Sequence, residues 1–251
     1  PWIEHGDGGR YINTYGIFIA ATPDGKWVNG SISRAMLDGP RTIAGVVIPT
    51  QDLVKIYARW KEIGKEMPFA LCLGVDPAIA MIAGYPLPSG VSEGEMMGGW
   101  YKEPVDVVKC ETNDLLVPAS TEIVIEGLAS LDEKVPEGPM GEYGGYVWSG
   151  RSQQVPCFKV TAMTHRDDPI MPLCVAGVPT EENHTNWGIS IAASIQNVLR
   201  RQGFPIKECF IPMESAAHWF VVSVDRNRSC EDDDKLASEI GRAVFSSKGG
   251  S

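Results

Sequence analysis

The stretch EGPMGEYGGY, residues 137–146, holds two carboxylates, Glu137 and Glu142, among glycines, a proline, a methionine and tyrosines. Pro139 and the glycines deny it a regular helix and favour turns. A bent segment can aim two acids at one point. A carboxyl group buried beside a second carboxylate has its pKa raised, as a proton donor working near neutral pH requires. Taken alone, the segment reads as a solvated surface turn. The remaining chain must decide whether anything holds it.

The chain has 251 residues, 43% of them hydrophobic, enough for one large core or two modest ones. Lys and Arg number 22 against 32 Asp and Glu, a formal charge of −10. A surface that acidic repels phosphate backbones and anionic lipid, which argues against nucleic-acid and membrane partners. A pocket with a few cationic groups still admits an anionic small molecule. Cys72, Cys110, Cys157, Cys174, Cys209 and Cys230 form no CxxC pair and read as free, mostly buried thiols of a reducing compartment, so a cytoplasmic protein is expected. Apolar runs such as GIFIAA and AGVVI are too short to span a bilayer. With no signal-like opening and a start at Pro1 inside patterned sequence, the chain is expected to be a fragment or processed form of a longer protein.

From Tyr11 to about Leu37 the pattern predicts strand, a turn at Pro23-Asp24-Gly25, and strand. IAGVVI (43–48) predicts another strand, and Thr50 a cap for a helix with apolar positions Leu53, Ile56, Tyr57, Trp60 and Ile63. FALCLGV is strand-like, Asp76-Pro77 is a helix start, and a further helix runs from Ser92 towards Trp100. PVDVVKC, TEIVIEGLA, CFKVTAMTH and PIMPLCVAG are read as strands. An amphipathic helix spans Ile189 to Arg201 and ends at Gly203; strands at KECFIPM and HWFVVSV and a helix from Asp232 to Phe245 follow. Many strands with few, unevenly placed helices predict an α+β fold around a barrel-like sheet, with a boundary after about residue 185.

The commonest nucleotide and zinc signatures, GxGxxG, GxxxxGK[ST] and HExxH, are absent. GVSEG (90–94) matches GxSxG, but YPLPSG before it is no buried strand, so it is no hydrolase elbow. The Asn-x-Ser/Thr triplets at Asn29, Asn183 and Asn227 carry little weight without secretion signals. The histidines show no ligand spacing, and only His184, in TEENHTN, invites a functional reading.

Three stretches read together, WVNGSISRAM (27–36), YPLPSGVSEGE (85–95) and EGPMGEYGGY, with PFALCLGV and VVKCETNDLLVPA between them, resemble the UbiD family of reversible decarboxylases, nearest its fungal ferulic acid (cinnamic-type) branch. The resemblance covers nearly the whole chain, from WIEHGDGGRYINTYG to the last helix. It implies a split β-barrel flavin-binding domain over residues 1–185, a connecting helix over 186–203, and the start of an α/β C-terminal domain over 204–251. It also implies a carboxy-lyase acting on an α,β-unsaturated or aromatic acid through prenylated FMN. That flavin is supplied by a flavin prenyltransferase and held by Mn2+ (or Mg2+), with K+ nearby. In the family a Glu-Arg-Glu trio is catalytic, which falls on Glu137, Arg34 and Glu142, with Glu142 as proton donor. The implied metal ligands are Asn29, Glu93 and Asp52, the last where the family has histidine. Cofactor contacts are implied at Ser31, Ile32, Ala83, Gly84, Tyr85 and Lys248, and a substrate-pocket position at Gln51. Family members are longer at both ends and form homodimers through a C-terminal domain.

The residue types suit that chemistry on their own terms. Loss of CO2 from an sp2 carbon leaves a carbanion that no side chain stabilises, so an organic electron sink is needed. A guanidinium grips a carboxylate through paired hydrogen bonds. Oxygen ligands suit a hard divalent ion bridging a phosphate. With Asn29 and Arg34 an odd number of residues apart, a regular strand would point them to opposite faces, so a bulge or turn near Gly30 is expected. Two other readings stay open: a truncated relative that binds flavin or a partner chain without catalysis, and an FMN-reductase-type barrel, which has no use for the trio.

Overall fold

The computed structural model describes residues 6–47, 51–141, 144–145, 152–174, 179–225 and 233–247. Strands β1 (Arg10–Asn13), β2 (Ile17–Ala21), β3 (Val28–Ile32), β4 (Ala35–Gly39) and β5 (Thr42–Gly45) lead to helix α1 (Asp52–Glu62). Strand β6 (Met67–Leu73), helices α2 (Pro77–Ala83) and α3 (Glu93–Tyr101), and the β7 (Val107–Lys109) and β8 (Leu116–Pro118) ribbon follow. Two long strands, β9 (Ile123–Glu137) and β10 (Gln153–His165), precede helix α4 (Glu182–Arg201). A β11 (Ile206–Phe210) and β12 (Val221–Val224) pair and helix α5 (Asp233–Phe245) complete the described chain.

The main sheet has eight strands in the order β1-β4-β5-β10-β9-β6-β2-β3, every neighbouring pair antiparallel. Edge strand β3 is joined to β4, beside the opposite edge, by Ser33 and Arg34 alone. From Ile32 to Ala35 a chain can reach at most about 11 Å. The two ends of the sheet must therefore approach each other, and the sheet curls into an open barrel with its seam at Arg34.

Alternation along the strands splits the core in two. Phe18 and Ala20 of β2 and Phe69 and Leu71 of β6 face one cluster, which Leu53 and Ile56 of α1 complete. Its centre is three rings, Phe69 against Phe158 with centroids 4.9 Å apart and Phe18 at 5.6 Å from Phe158. Ile17, Ile19, Ala70 and Cys72 face the other way, against Ile79, Ile82 and Met97 of α2 and α3. A sheet covered on both sides accounts for strands that read as nearly continuous apolar runs.

Several expectations need correction. The first hairpin is four strands, not two. Described residues 169–174 of PIMPLCVAG form no strand, since Pro169 and Pro172 remove ladder donors. Helix α4 begins at Glu182, seven residues before the predicted Ile189, and α1 is preceded by Gln51 in the cap position, Thr50 lying outside the described residues. Strand β3 runs regularly through Gly30. Ser33 and Arg34 lie beyond the end of the strand, in the link to β4. There the Asn13 side chain holds the Ser33 carbonyl at 2.6 Å and the Ser33 hydroxyl donates to the Val46 carbonyl at 2.7 Å.

Candidate active site

Two groups of polar side chains meet the curled sheet near its seam. The first lies where β3 is crossed by the N-termini of α1 and α3. Ser92 caps α3 with Glu95 in a capping box, which puts Glu93 in the first turn, where the helix dipole favours a carboxylate. Glu93 is buried and reaches back to β3: its Oε1 accepts from the Asn29 Nδ2 at 2.9 Å and its Oε2 from the Gly30 amide at 2.7 Å. The Ser31 hydroxyl donates to the Asn29 Oδ1. Asp52, the first residue of α1, is also buried, with the Lys55 ammonium at 2.8 Å and the Ser89 hydroxyl at 3.3 Å from its Oδ1.

Asn29, Asp52 and Glu93 line one cavity of about 200 Å3. Ser31, Ile32 and Gln51 form its wall, as do Ala83, Gly84 and Tyr85 at the end of α2. Every described residue expected to hold metal or cofactor, other than Arg34, is thus in this one place. Trp187 of α4 closes it, packed so near Gly84 that a Cβ there would lie 2.4 Å from the indole. Burial pushes the Glu93 carboxyl up from the ordinary 4.5 to about 7, with the charge of Asp52 adding to the rise and the Gly30 and Asn29 hydrogen bonds opposing it. A divalent cation reverses that balance by favouring both carboxylates in their charged form.

The chemistry of the donor set fits such an ion. Asn29, Asp52 and Glu93 offer oxygen, suited to Mg2+ or Mn2+. A phosphate beside two carboxylates also needs a cation between them. The Gln51 Oε1 is buried with no hydrogen-bond partner among the described residues, and Gln51 is one of the residues that line the cavity. The volume suits the phosphate and ion end of a nucleotide rather than a whole flavin.

The second group is at the seam itself. Glu137, the last residue of β9, is 0% exposed. Its Oε2 accepts from the Arg34 Nη2 at 2.9 Å and the Gln153 Nε2 at 3.0 Å, and its Oε1 from the Tyr11 hydroxyl at 2.7 Å. Burial alone would raise its pKa. The Arg34, Gln153 and Tyr11 hydrogen bonds and the guanidinium charge together outweigh it, and the carboxyl sits below the usual range. Glu137 is therefore an anion at neutral pH. Glu142 and Lys248 lie outside the described residues.

Other candidates are structural. His184 is buried at the start of α4, where its Nδ1 accepts the Glu181 amide at 3.0 Å. The buried Glu126 accepts the Glu111 and Thr112 amides at 2.9 and 2.7 Å and so ties the ribbon loop to β9. Cys72, Cys110, Cys157, Cys174 and Cys209 are free thiols, and Cys230 lies outside the described residues. Among the described residues no helix is long and apolar enough to cross a membrane. Sequence reading missed Tyr11, Gln153 and Trp187. Tyr11 was visible only as a strand former, and Trp187 lies in the polar first turns of α4, where no apolar period announces a helix.

A family model described as the UbiD 3-octaprenyl-4-hydroxybenzoate carboxy-lyase Rift-related domain matches residues 1–179. The chain is 46% identical over 254 aligned residues to a pyrrole-2-carboxylic acid decarboxylase of Pseudomonas aeruginosa, covering 100% of this chain and 51% of that one. It is 44% identical to ferulic acid decarboxylase 1 of Saccharomyces cerevisiae, over 90% of this chain and 45% of that protein. The chain thus spans about half the length of the curated relatives it matches. Among solved structures, an evolved dimeric form of the UbiD-class enzyme HmfF from Pelotomaculum thermopropionicum in complex with prFMN superposes with a TM-score of 0.84 at 30% identity, over 97% of this chain and 55% of that one.

Proposed function

The chain belongs to the UbiD family, and from that premise we propose that it carries the flavin-binding core of a decarboxylase acting on an α,β-unsaturated or aromatic, including heteroaromatic, carboxylic acid. The observation that carries the reading is the Arg34–Glu137 pair, 2.9 Å apart at the seam, with Arg34 two residues along the chain from Ile32 of the oxygen-lined cavity. The names of the relatives, a pyrrole-2-carboxylic acid and a ferulic acid decarboxylase, support the substrate class.

Asn29, Asp52 and Glu93 would hold Mn2+ or Mg2+ against the cofactor phosphate, with Ser31, Ile32, Ala83, Gly84 and Tyr85 around it, Lys248 reaching it from beyond the described residues, and K+ nearby. Bound there, prenylated FMN supplies the electron sink that loss of CO2 from an sp2 carbon needs. Arg34 presents a fork of N–H donors to the substrate carboxylate and orients it. Glu137, held ionised, fixes that guanidinium and is a poor proton donor at neutral pH. The proton that replaces CO2 is assigned to Glu142, five positions further along the same loop. Gln51, which lines the same cavity as the metal ligands, is assigned to its substrate side from the family resemblance alone. A flavin prenyltransferase supplies the cofactor, the full-length protein works as a cytoplasmic homodimer, and the domain division is 1–185, 186–203 and 204–251.

Asp52 stands where the family histidine is expected and is a purely hard ligand. Asp52→His is therefore expected to move metal preference from Mg2+ towards Zn2+, read by competition between the two ions for the purified protein. The reading as a whole is tested by assaying CO2 release from cinnamic-type and pyrrole-2-carboxylic acids after co-expression with a flavin prenyltransferase. Release that depends on the flavin supports it. A flavin-loaded protein that releases none from any acid of the class favours the alternative, a relative that binds flavin or a partner chain without catalysis.

A further inference from the structure

A glycine-rich segment cannot hold its own shape, so the loop after β9 must be fixed from outside. Residues 7–11 touch it at successive points. The Tyr11 hydroxyl donates to the Glu137 Oε1 at 2.7 Å, the Gly8 amide donates to the Pro139 carbonyl at 2.7 Å, and the Gly141 amide donates to the Asp7 Oδ1 at 3.1 Å. The contact is close as well as polar, because a Cβ on Gly8 would lie 2.0 Å from the Gly138 carbonyl oxygen, a backbone atom with nowhere to retreat. Tyr11 is anchored in turn by pairing with Met36 of β4, on the far side of the seam from β3.

We propose that residues 7–11 are a clamp that sets the position of the acid loop, with Tyr11 and Asp7 as positioning residues for the proton transfer at this site. The assignment of that transfer rests on the proposed reaction; the clamp does not. Asp7 seats the amide of Gly141, so the clamp holds the loop from Glu137 through Gly141, the residue that precedes Glu142 in sequence. Tyr11 also faces Glu137 together with Arg34 from the seam and Gln153 from β10, the groups that keep this carboxyl ionised. Losing the phenol removes a donor to the charged form and brings the Glu137 pKa back up.

The test is hydrogen exchange at the amides of Met140 and Gly141, with the Glu137 carboxyl titrated by carbon NMR, in the wild type and in Tyr11→Phe, Asp7→Ala, Asp7→Asn and Gly8→Ala. Asp7→Ala should speed exchange at Gly141 about ten-fold or more, with Asp7→Asn, which keeps the acceptor oxygen, close to wild type. Tyr11→Phe should raise the Glu137 titration midpoint by about one pH unit. Exchange in α4 serves as the control for global unfolding. Unchanged exchange and titration in folded Asp7→Ala and Tyr11→Phe overturn the clamp, whatever the activity. Faster loop exchange in a protein whose wild type releases no CO2 keeps the clamp and removes only the reaction. If both stand, the flavin-loaded Tyr11→Phe loses kcat at unchanged KM and shifts the acid limb of its pH profile.

Discussion

Arg34→Ala in the flavin-loaded protein is expected to lower decarboxylation by about 1,000-fold or more, with Arg34→Lys recovering only part of the loss. A lysine restores the charge but not the planar fork that holds a carboxylate by two bonds. The same substitution leaves Glu137 buried without its salt-bridge partner. Breaking a buried pair costs about 3–5 kcal/mol. Here the Arg34 side chain keeps 22% of its exposure, and Tyr11 and Gln153 still hold the carboxylate, so about 2 kcal/mol is the expected loss at pH 7. The sign with pH follows from the lowered Glu137 pKa: the pair's contribution is complete above the ordinary carboxylate range and disappears as the pH falls through the depressed value. Denaturant titrations of wild type and variant should therefore converge in acid. A penalty that persists unchanged there would mean that Arg34 stabilises by packing rather than by charge.

Glu93 carries the second large effect, and with the opposite sign. Its folded pKa is raised from 4.5 to about 7, so its ionisation opposes folding as the pH rises between those values. The metal-free protein should lose about 3 kcal/mol across that window. Relative to it, Glu93→Gln should gain by the same amount between pH 5 and pH 8, whatever its offset at pH 5. Adding Mn2+ at pH 8 should restore the wild type and leave the variant unchanged, because the ion favours the charged carboxylate that the variant lacks. An equal response of the two proteins to Mn2+ at pH 8 would remove Glu93 from the metal site.

The strands that build the barrel were legible because their chemistry is local. PFALCLGV and TEIVIEGLA are apolar on both faces, and Asp76-Pro77 is a helix start by itself, its carboxylate accepting the Ala78 amide at 2.8 Å. The early start of α4 was hidden because residues 182–188, apart from Trp187, are polar or small and show no apolar period, and Trp187 packs against Gly84 from elsewhere in the chain. In PIMPLCVAG apolar content was read as strand although its prolines removed the ladder. The site was legible as motifs, through Asn29, Arg34, Glu93 and Glu137, rather than as geometry. That Glu137 is held at the seam depends on partners remote in sequence, Arg34 and Tyr11, the latter 126 residues away. Arg34 sits in a two-residue link between β3 and β4, and that a strand ends there at a seam is something periodicity does not register.

Native mass spectrometry of the protein co-expressed with a flavin prenyltransferase, in the presence of Mn2+, is the most direct test of the central claim that Asn29, Asp52 and Glu93 hold a metal-bridged flavin phosphate. The expected result is prenylated FMN retained together with a divalent ion in the wild type, and both lost in Glu93→Ala. Flavin absent from the wild type under every metal condition, or retained equally by the variant, would contradict it.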